Sequence, residues 1–477
     1  MAMAMAMAVA ALVGVVGVLC LLAMRFWSRQ GTHVKGLPSG NMGWPLLGET
    51  MEFIQCLSST QPDGFFDKRC LKYGMIFKTH LFMSPTIIST DPEVNKFVLS
   101  NEEKLFKSSY PISVTAIFGK KSLLSVHGDL HKRLHGMIAR NMSADKLKGA
   151  VLRDVNTYAS RVVSSWENKK FVKVEHEAQH FTFLLILKQL MGISMEEEVA
   201  SLVKTEYDAL LGGLFSIPVK LLPKYAKALK ARENVARKLA DVVDARREKK
   251  DNSEYTDLLA AILNEGDEEG SPLPTNEIVD LMIFILFAGY ETTSRAITAA
   301  IKFLTDHPQA LQRLKEEHFT ILRQKSSSES LTWDDYKGMS FTQCVVNETM
   351  RLISLAFGSY REAIEDVHIK GKTIPKGWKT IVVYRTAHLN PSTYWNPHKF
   401  DPWRWEKHNP SYQESFMPFG WGRRYCPGAD LARLEISFFL HHVVTRYWWE
   451  PTKEDFFTYF PVPITKYGLP IVVKTLK

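Results

Sequence analysis

Apolar positions recur at helical spacing along several long stretches of the chain, namely residues 222–250, 276–304, 340–355 and 429–444. Shorter runs rich in β-branched residues, bounded by Gly and Pro turns, lie at residues 74–81, 86–89 and 367–383. The helical stretches are much longer than the extended runs. The pattern therefore predicts a mostly α fold with minor antiparallel β-sheets.

The first 24 residues contain no charged side chain, and Arg25, Arg29 and Lys35 follow them. An apolar helix of this length crosses a hydrocarbon core of about 30 Å. A cleaved signal peptide has a basic start and a shorter apolar core, and this segment has neither. Because the basic flank lies on the C-terminal side, the rest of the chain is expected in the cytosol. Residues 1–24 are therefore predicted to form a single-pass transmembrane anchor.

The chain after the anchor divides into a hinge and one large domain. Residues 25–48 are first basic and then rich in Gly and Pro, which ends a helix. From residue 49 to residue 477 there is no second linker, charge block or internal repeat. Since this length exceeds the usual single-core limit of roughly 250–300 residues, a second lobe or a large bound group is expected.

Composition and charge narrow the class of protein. With 45% hydrophobic and 23% charged residues, the chain has an ordinary globular composition, which argues against a disordered protein and against a multi-span transporter. A net charge of +9 suits nucleic acid, an anionic membrane or an acidic protein partner, and charge alone does not choose among them. The five cysteines are odd in number and form no CxxC pair, so a disulfide framework is not expected.

The most informative motif surrounds Cys426. Glycines at 420, 422 and 428 permit a tight loop, and a helical pattern begins at residue 429. Backbone N–H groups and the dipole at a helix N-terminus favour a thiolate, so Cys426 is a candidate metal ligand. The alternative is a buried structural cysteine, which is the interpretation for Cys70 and Cys344.

The complete pattern Phe-x-x-Gly-x-Arg-x-Cys-x-Gly, which begins at Phe419, resembles the haem-binding signature of the cytochromes P-450. The resemblance implies the fold of that family, a haem b cofactor and monooxygenase activity. It implies that Cys426 is the axial ligand of the haem iron, a ligand that favours O–O cleavage. It further implies that Arg424 contacts a haem propionate and that Phe419 belongs to the cofactor-binding loop.

Two further motifs gain meaning from this resemblance. It implies that Glu348, Arg351 and Arg404 form a buried structural triad, in which the loss of one member is severe. The segment around Glu291 and Thr292 interrupts an apolar helical run, and Thr can bond back to the carbonyl four residues earlier. Its plain interpretation is a packing site that tolerates glycine. The resemblance instead implies that Glu291 and Thr292 are catalytic and deliver protons during oxygen activation.

A pair of histidines, His131 and His135, stands one helical turn apart. Such a pair also suits zinc, but the Glu and the third ligand of a metalloprotease are missing. The resemblance assigns both histidines to a haem propionate, although Arg is commoner at the second position. It also identifies Arg361 as a further propionate-binding residue.

The resemblance covers nearly the whole chain and is closest to plant microsomal enzymes of brassinosteroid and steroid synthesis. Resembling segments are residues 42–50, 108–111, 341–349 and 374–378. The sequence departs from that branch around the cysteine, at Trp421, Arg423 and Tyr425. The expected reaction is hydroxylation of a steroid on the side chain or a ring, with O2 and electrons from NADPH. The alternatives are a diterpenoid or triterpenoid oxidase and, less favoured, a haem-binding sensor or carrier without catalysis.

Partners and location follow from the same resemblance. Because the chain has no GxGxxG after a strand, electrons are expected from a separate NADPH-cytochrome P-450 reductase. Apolar stretches at residues 112–118, 210–218, 282–287, 355–357 and 460–464 are expected to line a pocket for a hydrophobic steroid-like substrate, or else to be plain core. The protein is expected in the endoplasmic reticulum membrane, with its catalytic domain in the cytosol, and no nucleic acid is expected as a partner.

Overall fold

The computed structural model describes residues 34–476, except for 168, 194–197, 217, 219–221, 250–255, 265–270, 327–328, 408 and 461. The predicted anchor at residues 1–24 lies outside this range. Among the described residues, no helix has both the length and the apolar character needed to cross a membrane. The chain forms two compact units, and the first contains the described residues up to Ser109 together with Gly358–Val383.

The first unit is built on a five-stranded sheet with strand order β1-β2-β8-β5-β3. Its elements are α1 (Thr50–Leu57), α2 (Gly64–Tyr73), β1 (Ile76–Leu81), β2 (Ser84–Ser89), α3 (Pro92–Ser100), β3 (Phe106–Ser108), β5 (Gly358–Ala363), β6 (Val367–Ile369), β7 (Lys372–Ile374) and β8 (Lys379–Val383). All its strand pairs are antiparallel except β2 with β8, which is parallel. Apolar residues of β2 and β8 are buried, as expected where a helix covers the sheet.

The second unit, Tyr110–Phe357 with Tyr384–Lys477, is mainly helical. Its helices are α4 (Ile112–Phe118), α5 (Gly128–Asn141), α6 (Ala144–Lys146), α7 (Leu152–Ser164), α8 (Val174–Met191), α9 (Glu198–Leu211), α10 (Pro223–Glu248), α11 (Leu258–Leu263), α12 (Thr275–Asp306), α13 (Pro308–Arg323), α14 (Trp333–Gly338), α15 (Ser340–Ile353), α16 (Tyr384–His388), α17 (Pro410–Ser415) and α18 (Ala429–Arg446). Its short antiparallel strands are β4 (Val172–Lys173), β9 (Tyr447–Pro451), β10 (Phe457–Thr458), β11 (Ile464–Thr465) and β12 (Pro470–Thr475).

The core of the second unit is organised around α12, the longest described helix. Most of its side chains are buried, because α8, α10, α15 and α18 all pack against it. A helix that is apolar on nearly every face belongs in the interior. The prediction of a mostly α fold with small antiparallel sheets is confirmed, and the single parallel pair in the first unit is an addition to it.

Candidate functional site

The cysteine loop, defined as residues 419–428, lies between α17 and the N-terminus of α18. Gly420 and Gly422 have φ values of +79° and +73°, which side chains other than glycine rarely adopt. The N–H of Cys426 donates to the carbonyl of Phe419 at 3.0 Å and closes the loop. The helix then begins directly after Gly428. This geometry places the Cys426 sulfur at the start of a buried helix.

Among the described residues, no cation contributes to holding the Cys426 thiol in its ionised form. Burial raises its pKa to about 11, with only the amide of Gly428 acting in the opposite direction. Burial therefore does not favour the thiolate that is expected at the helix N-terminus. A metal cation bound to the sulfur would, because metal coordination deprotonates a thiol.

The ligand set around Cys426 fits haem better than a bare metal ion. Among the described residues, no three His, Cys, Asp or Glu side chains form a group that could hold a metal ion. A haem brings its own ring nitrogens and needs one strong protein ligand, which a single cysteine provides. The amide of Gly428 bonded to the sulfur is the kind of outer contact that tunes such a ligand.

The residues before α5 and α5 itself are tied to the cysteine loop. The Arg424 guanidinium donates to the carbonyls of Leu123 at 3.1 Å and Val126 at 2.7 Å. Nε2 of His135 lies 2.7 Å from the carbonyl oxygen of Tyr425. Since a carbonyl only accepts, this nitrogen of His135 carries the proton. Arg424 and His135, two of the predicted cofactor-binding residues, therefore link the cysteine loop to α5 and to the residues just before that helix.

His131 and Arg361 are placed differently from each other. His131 is buried on α5, with its ring 5.4 Å from that of His135. Arg361 lies on β5 in the first unit, where its Nε is 2.5 Å from a carboxylate oxygen of Glu102. Both members of that ion pair are almost fully buried. The structure thus brings His131 close to the cysteine loop through His135, and the described contacts of Arg361 lie within its own unit.

Glu348, Arg351 and Arg404 are brought together in the interior. Arg351 donates to both carboxylate oxygens of Glu348, at 2.8 and 2.9 Å, and Arg404 donates to one of them at 2.9 Å. The indole N–H of Trp405 and the backbone N–H of Asp401 complete the set of donors to that carboxylate. Every lone pair of a fully buried carboxylate is occupied, which is the condition under which a buried ion cluster is tolerated.

The predicted proton-delivery segment lies in the middle of α12. The Thr292 hydroxyl donates to the Ala288 carbonyl at 2.6 Å, as expected from the sequence, and the helix continues without interruption. Gly289 is required for packing, because a Cβ there would lie 2.7 Å from the Ile186 side chain of α8. The Thr182 hydroxyl of α8 donates to the carbonyl of Tyr290 at 2.9 Å. The segment is therefore clamped against α8.

Glu291 is held as an ion pair inside the protein. One of its oxygens, Oε1, accepts from Nε and Nη2 of Arg295 at 3.0 and 2.6 Å. Both side chains are more than nine-tenths buried. Arg295 sits one turn later on the same helix and was missed in the sequence, where an acid–base pair four residues apart is too common to attract notice.

Two residues of α18 were also missed. Arg433 donates to the Asn347 side chain at 2.7 Å and stacks over the Phe419 ring, 5.2 Å from its centroid. Glu435 is buried, bonds the Thr293 hydroxyl through one oxygen, and has no hydrogen bond at the other. Burial raises the pKa of Glu435 to about 8. The signal in the sequence was that Arg433 and Glu435 are charged residues in a mostly apolar part of the helix.

Replacement of Glu435 by Gln should flatten the pH dependence of stability. Because its folded pKa of about 8 exceeds the ordinary 4.5, the neutral carboxyl stabilises the fold fully below the ordinary value. That contribution is lost as the pH rises through about 8. Urea unfolding across this range should show the decline in the parent protein and a smaller decline in Glu435→Gln. The exposed Glu233→Gln is the control, and equal slopes in all three proteins would contradict the expectation.

Several known proteins are similar to this chain over most of its length. The family model described as Cytochrome P450 matches residues 38–465. The 3beta,22alpha-dihydroxysteroid 3-dehydrogenase of Arabidopsis thaliana is 43% identical over 92% of this chain and 93% of its own length. The cholesterol 22-hydroxylase CYP90B27 of Paris polyphylla is 40% identical over 92% of each chain.

Two further known proteins are also similar to this chain. The abietadienol/abietadienal oxidase of Pinus taeda is 40% identical over 91% of this chain and 90% of its own. Among solved structures, the retinoic acid bound cyanobacterial CYP120A1 superposes with a TM-score of 0.83 at 27% identity, covering 93% of this chain and all of that one. The similarity therefore extends over both units and over the cysteine loop.

Proposed function

Because the chain belongs to the cytochrome P450 family and is a haem-dependent monooxygenase, we propose that it hydroxylates a steroid on its side chain or a ring. The candidates are a brassinosteroid precursor, a phytosterol and a cholesterol-type sterol. The observation that carries the proposal is the identity of 40–43% over nine-tenths of the chain to enzymes named for steroid substrates.

The described residues are proposed to bind the cofactor, to deliver protons and to line the substrate pocket. When bound, the haem supplies oxygen activation and the oxidising power. The Cys426 sulfur would hold the iron, and Phe419 closes the loop around that sulfur. The guanidinium of Arg424 and the imidazole of His131 would hold propionates, and His135 fixes the loop from α5. Arg361 is proposed as a further propionate ligand.

Proton delivery is assigned to Glu291 and Thr292. A threonine hydroxyl both donates and accepts, so Thr292 can pass a proton once it leaves the Ala288 carbonyl. Glu291, one residue earlier on α12, is proposed to accept protons from the solvent side and to pass them on toward Thr292. General acid–base assistance of this kind is typically worth about 10²–10⁴-fold.

The proposed substrate walls are aromatic and carry no charge. Phe118 of α4 packs against Phe284 and Phe287 of α12, with ring centroids 5.5 and 4.8 Å apart. Phe215, after α9, packs on Phe460 at 5.2 Å. Such walls favour a bulky neutral substrate, since a carboxylate buried there would be without a partner.

The second candidate is a diterpenoid oxidase, because the abietadienol/abietadienal oxidase of Pinus taeda matches as well as several steroid enzymes do. A triterpenoid oxidase is the related alternative. A haem-binding sensor or carrier is less well supported, because it would not need Glu291 and Thr292 next to each other.

A substrate panel separates these candidates. The purified protein with NADPH and a plant reductase should add one oxygen to a C27–C29 sterol or a brassinosteroid precursor, detected by mass spectrometry. A panel in which every sterol is inert and a diterpene alcohol or acid is turned over would overturn the steroid proposal. A protein that oxidises nothing and consumes no NADPH would favour the carrier.

The electron donor is proposed to be NADPH-cytochrome P-450 reductase. Exposed cations near the cysteine loop and α5 offer a docking face for an acidic partner, and they are Lys132, Lys146, Lys148 and Arg423. Arg433 is not part of this face, because its guanidinium is turned inward onto Phe419. No role for nucleic acid is proposed.

We propose a location in the endoplasmic reticulum membrane, with residues 1–24 as a single-pass anchor and the remainder in the cytosol. Support comes from an apolar surface in the first unit, formed by Trp44, Leu46, Leu47, Met51 and Met83, each more than half exposed. These residues are close together, because the N–H of Phe82 donates to the hydroxyl of Thr50. An exposed apolar surface that follows an apolar anchor closely in the sequence suits a bilayer.

Deletion of residues 1–24 should release only part of the protein from membranes. The apolar surface remains and should retain a fraction, which fractionation and flotation with lipid vesicles measure. Adding Trp44→Ser and Leu47→Ser to the deletion should release that fraction, while haem content stays at the parent level. Glycan attached at Asn141 would place the body in the lumen and contradict the orientation.

A further inference from the structure

A cleft of about 930 Å³ opens on the second unit. The start of α8 and the strands near the C-terminus form its walls. Four of its lining residues are lysines that have no carboxylate partner among the described residues, and they are Lys170, Lys173, Lys453 and Lys466. One lining residue, Glu175, is an acid whose side chain is only 17% exposed.

Glu175 connects this cleft to Glu291 through a single side chain. The guanidinium of Arg295 forms an ion pair with Glu175 through Nη1, and with Glu291 through Nε and Nη2. The N–H and the hydroxyl of Thr465 also donate to Glu175 and fix it in the cleft wall. One buried cation is therefore shared by two carboxylates, of which one faces solvent and the other belongs to the proton-delivery pair.

Sharing the guanidinium fixes the position of the Glu291 carboxylate. An arginine does not lose its own proton in proteins, so Arg295 is not a relay. It acts as a bridge, because Glu175 holds Nη1 on the cleft side while Nε and Nη2 donate to Oε1 of Glu291. Glu175 thereby keeps Arg295 on Oε1 and leaves Oε2, which accepts no bond from Arg295, as the oxygen that accepts a proton.

Building on the proposed function, we propose that this cleft is the solvent entrance for the protons used at Glu291, and that Glu175 is the positioning residue that keeps Glu291 able to accept them. Each proton comes from water in the cleft, binds the Glu291 carboxylate and leaves it toward Thr292, and bulk water replaces it.

The main test is Glu175→Gln, assayed with cholesterol, NADPH and reductase. The variant should bind haem normally and keep the parent KM for cholesterol. Its peroxide released per NADPH and its solvent deuterium isotope effect on product formation should both rise, by about two- to tenfold, which is less than the 10²–10⁴-fold typical of acid–base assistance because Glu291 and Thr292 are both retained. The matched control is Glu177→Gln, on the same turn of α8, whose carboxylate instead contacts Trp166 and Lys169.

A second variant tests the cleft without touching the ion pairs. Gln179 lines the cleft one turn after Glu175, and Gln179→Trp should narrow it and raise the solvent isotope effect.

The free energy of unfolding supplies a readout that needs no turnover. The combination of Glu175→Gln with Glu291→Gln should lose less stability than the sum of the two single losses, because both act on Arg295. Glu177→Gln with Glu291→Gln should be additive.

Thr292→Ala in the same assay separates this inference from the proposed function. It should bind haem, accept electrons, release more peroxide and form less product. If Thr292→Ala is uncoupled while Glu175→Gln and Gln179→Trp behave like Glu177→Gln, the cleft inference is wrong and the role of Thr292 stands. If Thr292→Ala is as well coupled as the parent, the proton-delivery role assigned to α12 is wrong, and the cleft inference fails with it.

Discussion

Glu348→Gln should reduce the free energy of unfolding by about 3–5 kcal/mol, or prevent recovery of folded protein altogether. The carboxylate of Glu348 neutralises Arg351 and Arg404, and both guanidinium groups are almost completely buried. With an amide in its place, two buried cations remain without a counter-charge. The carbonyls that also accept from Arg351, those of His388 and Pro397, supply hydrogen bonds but no charge.

Urea unfolding and haem content measure this effect. The control is Glu316→Gln, an exposed glutamate on α13, which should change stability by no more than about 0.5 kcal/mol. Arg404→Ala should fall between the two, because Glu348 then keeps Arg351 as its partner. A Glu348→Gln protein as stable as the control would show that the cluster is not required for the fold.

The long helices could be predicted because their apolar periodicity is local. The pattern over residues 276–304 became α12, Thr275–Asp306, and the pattern over 429–444 became α18, Ala429–Arg446. Pairing of distant strands could not be predicted. Residues 379–383 join the first unit as β8, parallel to β2, and no feature of either run specifies its partner. The burial of Arg361 against Glu102 depends on another long-range pairing, that of β5 with β3, and could not be predicted either.

In the candidate site, a motif whose residues are close together in the sequence could be predicted, whereas contacts between distant residues could not. The cysteine loop was evident because several fixed positions lie within ten residues, and the three members of the Glu348 cluster do meet. Arg295 and Glu435 were not found, since each acquires its role from a helix far away in sequence: α8 supplies Glu175, and α12 supplies Thr293. Gly289 differs from these two residues. It lies in the segment that was expected at a reaction site, and the closeness of the Ile186 side chain gives a second reason, tight packing, for a glycine there.

Cys426→Ala should abolish monooxygenase activity and remove thiolate ligation. Cys426 is the cysteine at which the loop, the buried helix start and the amide of Gly428 coincide. Cys344 is the matched control, because burial raises the pKa of its thiol to about 11 as well, yet it lies inside α15. The two thiols are therefore alike in that burial raises the pKa of each, and they differ in whether a loop presents the sulfur.

The most direct measurement is the absorption spectrum of the reduced protein with carbon monoxide. The parent protein and Cys344→Ala should both show the strongly red-shifted Soret band that a thiolate ligand produces, and Cys426→Ala should lack it. A Cys426→Ala protein with the parent spectrum would contradict the assignment of the iron ligand, and with it the account of the site.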